Sequence, residues 1–115
     1  MTGLLERQQL FAGLLVELID RAAELGYGVT LGEVYRPDAT VELTALAGRG
    51  SRASLHPLRL AVDLHLFRGA VYLTRTEDHR ELGLWWENRN ALCRWGGRFA
   101  LPDGNHYSLE WEGRA

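Results

Sequence analysis

Lysine is absent from this 115-residue chain, and all 13 of its basic residues are arginines. We read that mainly as a mark of genome composition and only weakly as chemistry. Cysteine occurs once, as Cys93, which excludes an internal disulfide framework and any cysteine-rich metal cluster. No apolar run reaches 18 residues, so no transmembrane helix is expected. The N-terminal Met1-Thr2-Gly3-Leu4-Leu5-Glu6-Arg7 lacks the basic and apolar regions of a secretory signal, so a cytoplasmic location is expected until something else releases the protein. An excess of positive charge is missing too: the formal net charge is −2, which argues against a general polyanion binder.

What remains is the composition of an ordinary globular protein, 46% hydrophobic and 24% charged. The length fits one domain, expected over residues 1–115, with a core of its own and no room for a separate targeting module. Apolar residues at helical spacing from Leu4 to Leu25, stopped by Gly26, predict a long amphipathic helix. Alternation from Gly26 to Tyr35 predicts a strand, followed by a turn at 36–40, a short helix at 40–47 and a glycine-rich loop at 48–54. Leu60 to Phe67 is the clearest strand, with Ala61, Asp63, His65 and Phe67 on one face and Leu60, Val62, Leu64 and Leu66 on the other. Arg68-Gly69-Ala70 turns it into Val71-Tyr72-Leu73 as a hairpin partner. A second helix is expected over 77–89 with Thr76 as its cap, and a last strand over 105–111. Helices mixed with antiparallel strands give an α+β class.

An apolar strand is an expensive place for the carboxylate of Asp63 unless it has a partner. His56 lies seven residues before it, and His106 opens the last strand. Two imidazoles and one carboxylate are a usual ligand set for a catalytic zinc ion that keeps a fourth position open. On spacing alone the set is one of many, because four histidines and 15 acids offer numerous accidental triples. His65 shares a face with Asp63 and is the competing ligand, while His79 reads as a solvated helix residue. Trp85 and Trp86 read as core, with Trp95 or Trp111 as the alternative of a sugar-stacking or peptide groove. Cys93 has no local motif of a nucleophile, and Arg49, Arg52, Arg59 and Arg68 gather near the glycine-rich loop.

The wording around these residues is more specific. Ser54-Leu55-His56-Pro57-Leu58-Arg59-Leu60-Ala61-Val62-Asp63 resembles the S-x-H-x-x-G-x-A-x-D signature of zinc D,D-carboxypeptidases and phage L-alanyl-D-glutamate endopeptidases. Asp103-Gly104-Asn105-His106 is similar to that family's acid-x-x-His element. The resemblance runs from about Tyr27 to Trp111 and is strongest to small phage and prophage endolysins. It implies a Hedgehog/D,D-peptidase-like fold and a zinc ion held by His56, Asp63 and His106. It also implies Asp103 as the general base, Arg36 as the residue that orients substrate and steadies the oxyanion, and Ser54 as a substrate contact. The implied partner is a peptidoglycan stem peptide, cut by a monomer in the setting of phage lysis, with no nucleic acid and no membrane insertion. A D-alanyl-D-alanine carboxypeptidase and a non-enzymatic zinc- or wall-peptide-binding relative are the alternatives; a small nucleic-acid module using the arginine loop is disfavoured by the acidic net charge. Two departures stand out. Arg59 replaces the signature glycine, which puts the local backbone in question. The base is Asp where some relatives have Glu, which shortens its reach by one methylene and favours a backbone closer to the metal.

Overall fold

The computed structural model describes residues 3–34 and 55–115. Helix α1 spans Leu4–Glu24, followed by strand β1 (Gly28–Leu31), a 3₁₀ turn (His56–Leu58), β2 (Ala61–Arg68) and β3 (Val71–Leu73). A second 3₁₀ turn (Thr76–His79) leads into helix α2 (Arg80–Arg89), then β4 (Cys93–Trp95), a third 3₁₀ turn (Gly96–Arg98) and β5 (His106–Leu109). The expected helix at 40–47 and the loop at 48–54 lie outside the described residues.

α1 buries Phe11, Leu14, Leu18 and Ala22, the stripe that its apolar spacing predicts. It ends in a Schellman motif. Gly26 takes a φ of +88°, and the amides of Gly26 and Tyr27 donate to Ala23 O and Ala22 O, both at 3.0 Å. That turn uses up the first residues of the expected strand, so β1 begins only at Gly28.

All strand pairs are antiparallel, in the order β1-β2-β5-β4, with β3 also on β2. β2 is the shared strand. Its first half pairs with β5 and its last residues with β3 along the same edge, while β1 runs along the other edge. Val62, Leu64 and Leu66 point into the core, together with Tyr107 and Leu109 of β5 and Leu82 and Trp86 of α2. The Trp86 indole N–H lies between Arg94 O at 3.1 Å and Ser108 O at 3.2 Å, which ties α2 to β4 and β5. The opposite face of β2 carries Ala61, Asp63, His65 and Phe67, as the alternation predicts.

Two expectations are corrected. Thr76 is not the helix cap: the side chain of Asp78 accepts the Arg75 amide at 3.0 Å, and a 3₁₀ turn precedes α2. β4 was not anticipated, because three residues between a helix and Gly96-Gly97 are too few to display alternation.

Arg59 closes the turn between His56 and β2 in the left-handed conformation, at φ +57° and ψ +39°. This conformation favours glycine, and a residue with a Cβ adopts it here at a cost of about 1–2 kcal/mol. Arg59→Gly is expected to be about 1 kcal/mol more stable than Arg59→Ala in urea titrations, since both lose the side chain and only glycine relieves the left-handed backbone; a glycine variant no more stable than the alanine one would contradict this account of the turn.

Candidate metal centre

The site is assembled by the pairing of β2 with β5. Asp63 lies directly opposite His106. Its amide donates to Glu33 O at 2.8 Å and its carbonyl accepts the Gly32 amide at 2.7 Å, so both backbone groups point toward β1. The pair with His106 is therefore the non-hydrogen-bonded kind, in which side chains approach most closely. On the same edge the Leu64 amide donates to Asn105 O at 2.8 Å, which fixes the register. His56 arrives from the 3₁₀ turn. Its carbonyl accepts the Arg59 amide at 3.1 Å, and the Leu60 amide returns to Leu55 O at 3.2 Å. Leu55 and Leu60, both fully buried, anchor this loop.

The result is a tight group. Asp63 Oδ1 is 3.4 Å from His56 Nε2 and 3.8 Å from His106 Nδ1. One donor atom from each of the three residues lies within 4.8 Å of the others, so the group could hold a metal ion. Donors about 2.0–2.2 Å from a tetrahedral ion stand roughly 3.3–3.6 Å apart, close to the spacing seen. The two imidazoles are buried and Asp63 is partly exposed, which leaves the group open on one side. Asp63 Oδ1 is itself buried without a well-formed hydrogen bond among the described residues, and a cation would satisfy it. Burial alone would raise the Asp63 carboxyl, but the imidazoles of His106 and His56 outweigh it and hold it well below the usual carboxylate range. A cation fits this donor set. His65, the competing ligand, falls outside the group; its ring stacks on Tyr72 instead.

Asp103 sits on the exposed turn before β5. Its amide donates to Gly96 O at 2.9 Å and its carbonyl accepts the His106 amide at 3.1 Å. It lines a cavity of about 200 Å³ with Tyr72, Arg75, Thr76, His79 and Asn105. Gly96 is needed here: a Cβ at that position would lie 2.1 Å from Asp103 O and 2.8 Å from His106 Cβ. Trp95 is buried and donates its indole N–H to Gly104 O at 2.7 Å, so it braces the turn rather than offering a stacking surface. Phe99 packs on the His106 ring at 5.3 Å. Trp111 is partly buried under the Arg7 guanidinium, 5.3 Å from its ring centre. Arg36 and Ser54, and with them Arg49 and Arg52, lie outside the described residues.

Sequence reasoning missed His79. It is buried rather than solvated, and its Nδ1 lies 2.8 Å from the Tyr107 hydroxyl. Its spacing from the last strand gave no hint of this contact. Burial lowers its pKa to about 4, and burial likewise holds the Tyr107 phenol well above its usual range. Cys93 is buried with its thiol pushed up to about 12, which removes it as a nucleophile at neutral pH.

No protein-family model matches the chain, and no curated protein sequence matches it. Among solved structures the fold has a likeness. The crystal structure of the Serratia marcescens L-Ala D-Glu endopeptidase ChiX superposes with a TM-score of 0.70 at 21% identity, covering 91% of this chain and 84% of that one. At that identity the likeness is one of fold, and it bears out the α+β class expected from the sequence.

The neutral, buried His79 sets a pH dependence. Its native pKa lies below the unfolded value of 6.5, so the native state binds fewer protons once the pH falls below 6.5. Its contribution is intact above pH 6.5 and is lost as the pH drops toward 4. Between pH 7.5 and 5 the folded state should lose roughly 1–2 kcal/mol through this group. Urea unfolding of wild type and His79→Gln at both pH values checks it; an equal loss in the two proteins would contradict the assignment.

Proposed function

We propose that this chain is a zinc-dependent peptidase of peptidoglycan stem peptides, cutting the L-alanyl-D-glutamate bond. The observation that carries the reading is the convergence of His56, Asp63 and His106 on one partly open site. The fold shared with an L-Ala D-Glu endopeptidase supports it. His56 Nε2, Asp63 Oδ1 and His106 Nδ1 would hold the ion. Zinc in such a site supplies Lewis acidity, which polarises a peptide carbonyl and makes water a better nucleophile near neutral pH.

The remaining chemistry belongs to the chain. Asp103, on the turn that delivers His106, takes a proton from the attacking water as its oxygen bonds to the carbonyl carbon. The C–N bond then breaks, and Asp103 returns the proton to the leaving amine. Asp63 stays ionised throughout, because its carboxyl is held so far below the usual range. Arg36 orients the substrate and offsets the charge that develops on the carbonyl oxygen. Ser54 contacts the substrate.

Metal content and turnover separate these roles. Wild type is expected to bind one zinc per chain. His106→Ala should lose metal and activity together. Asp103→Ala should keep the metal while its turnover falls ~10²–10⁴-fold. Zinc titration with a competing chelator and cleavage of a synthetic stem peptide supply the two readouts. Undiminished turnover in Asp103→Ala, or undiminished zinc affinity in His106→Ala, would overturn the corresponding assignment.

A further inference from the structure

The face of β2 that carries Asp63 continues beyond the metal-binding group. His65 and Phe67 follow at two-residue steps, about 7 Å and about 13 Å along the strand from Asp63. Tyr72 lies directly opposite Phe67 on β3 and so projects from the same face. Its ring is stacked on His65, with centres 5.5 Å apart and planes at 20°, and lies 5.2 Å from Phe67 at 33°. The neighbours across from these residues on β1 are Thr30 and Gly28, both small. Tyr72 is 45% exposed, and it also lines the cavity that contains Asp103 and Asn105. An aromatic shelf with a polar edge thus begins one strand step from the metal group and borders the turn that bears the proposed base.

We propose that His65, Phe67 and Tyr72 form a subsite that stacks the pyranose ring of the peptidoglycan glycan. The proposal rests on the functional reading above and deepens it. In peptidoglycan the stem begins with L-alanine, amide-linked to the lactyl group of muramic acid. The carbonyl of the L-alanyl-D-glutamate bond therefore stands only about 7 Å from the sugar, one extended residue plus the lactyl link. A D-alanyl-D-alanine bond, three residues further on, lies about 18 Å or more from it. The shelf, about 7–13 Å from Asp63 along β2, suits the nearer of the two. Flat, partly exposed rings with a hydroxyl and an imidazole at the edge suit a sugar, which presents a C–H face and a rim of hydroxyls. Cross-strand ring packing stabilises a sheet by itself, but it does not require Tyr72 to stay exposed beside the site.

Two substrates test the subsite: the same stem peptide carried on N-acetylmuramic acid, and capped by a plain N-acetyl group. Zinc-loaded wild type should cut the muramyl form with the higher kcat/KM. In Tyr72→Ala, checked for native circular dichroism, the ratio of the two kcat/KM values should fall roughly three- to tenfold. Tyr72→Phe, which retains the ring, should keep most of the preference. Equal losses on both substrates, or a wild-type enzyme with no preference, would overturn the subsite. A second readout does not depend on turnover. Titration with N-acetylmuramyl-L-alanine should shift the NMR signals of Tyr72 and His65, and their constancy would overturn the subsite. If neither peptide is cut, the functional reading fails, while the titration still decides the shelf.

Discussion

An ionised carboxylate set among the apolar residues of a central strand is the constraint around which this small fold is arranged. Asp63 belongs to β2, the strand that β1, β3 and β5 all share. A partly buried charge in such a place is costly without compensation. Compensation comes from His56 Nε2 at 3.4 Å and His106 Nδ1 at 3.8 Å, which also hold the carboxyl in its ionised form. The two imidazoles that settle the charge and the carboxylate itself form a candidate donor set for a cation. Removing either imidazole would leave a partly buried charge less compensated as well as a broken site.

Much of the remaining structure serves to keep that arrangement in place. The β2–β5 register sets Asp63 against His106 in the closer type of cross-strand pair. The left-handed Arg59 reverses the chain so that His56 returns over the strand. Trp95, hydrogen-bonded to Gly104, and the close approach at Gly96 hold the turn that presents Asp103 and begins β5. On the far face, Trp86 fastens α2 to the carbonyls of β4 and β5. Strong packing on one face thus supports a partly open, polar and aromatic surface on the other.

The strongest local patterns were legible in the sequence. The α1 stripe, the alternation of β2 and the β2–β3 hairpin are written in residue spacing, and each forms where expected. The candidate metal group was legible only in part: spacing made His56, Asp63 and His106 one triple among many, and the wording around them singled it out. Long-range contacts were not legible. The bond from His79 to Tyr107 joins residues 28 positions apart, and nothing in Glu77-Asp78-His79-Arg80 signals burial. Trp95 looked like a possible stacking residue because its indole partner, a backbone carbonyl in the next turn, has no sequence signature. β4 was too short to show a period. Arg59 is instructive in the other direction: a position where the sequence reading put the backbone in question does adopt a left-handed conformation, and it does so with a Cβ.

The central claim is that the His56–Asp63–His106 group serves cleavage of a peptidoglycan stem. Its most direct test is digestion of purified peptidoglycan by zinc-replete protein beside a chelated control, with products read by mass spectrometry. The account predicts chelator-sensitive release of peptides with a new N-terminal D-glutamate, leaving L-alanine on the glycan. Release of terminal D-alanine alone would contradict the assigned bond, and the absence of any chelator-sensitive product from protein that holds one zinc would contradict the catalytic reading itself.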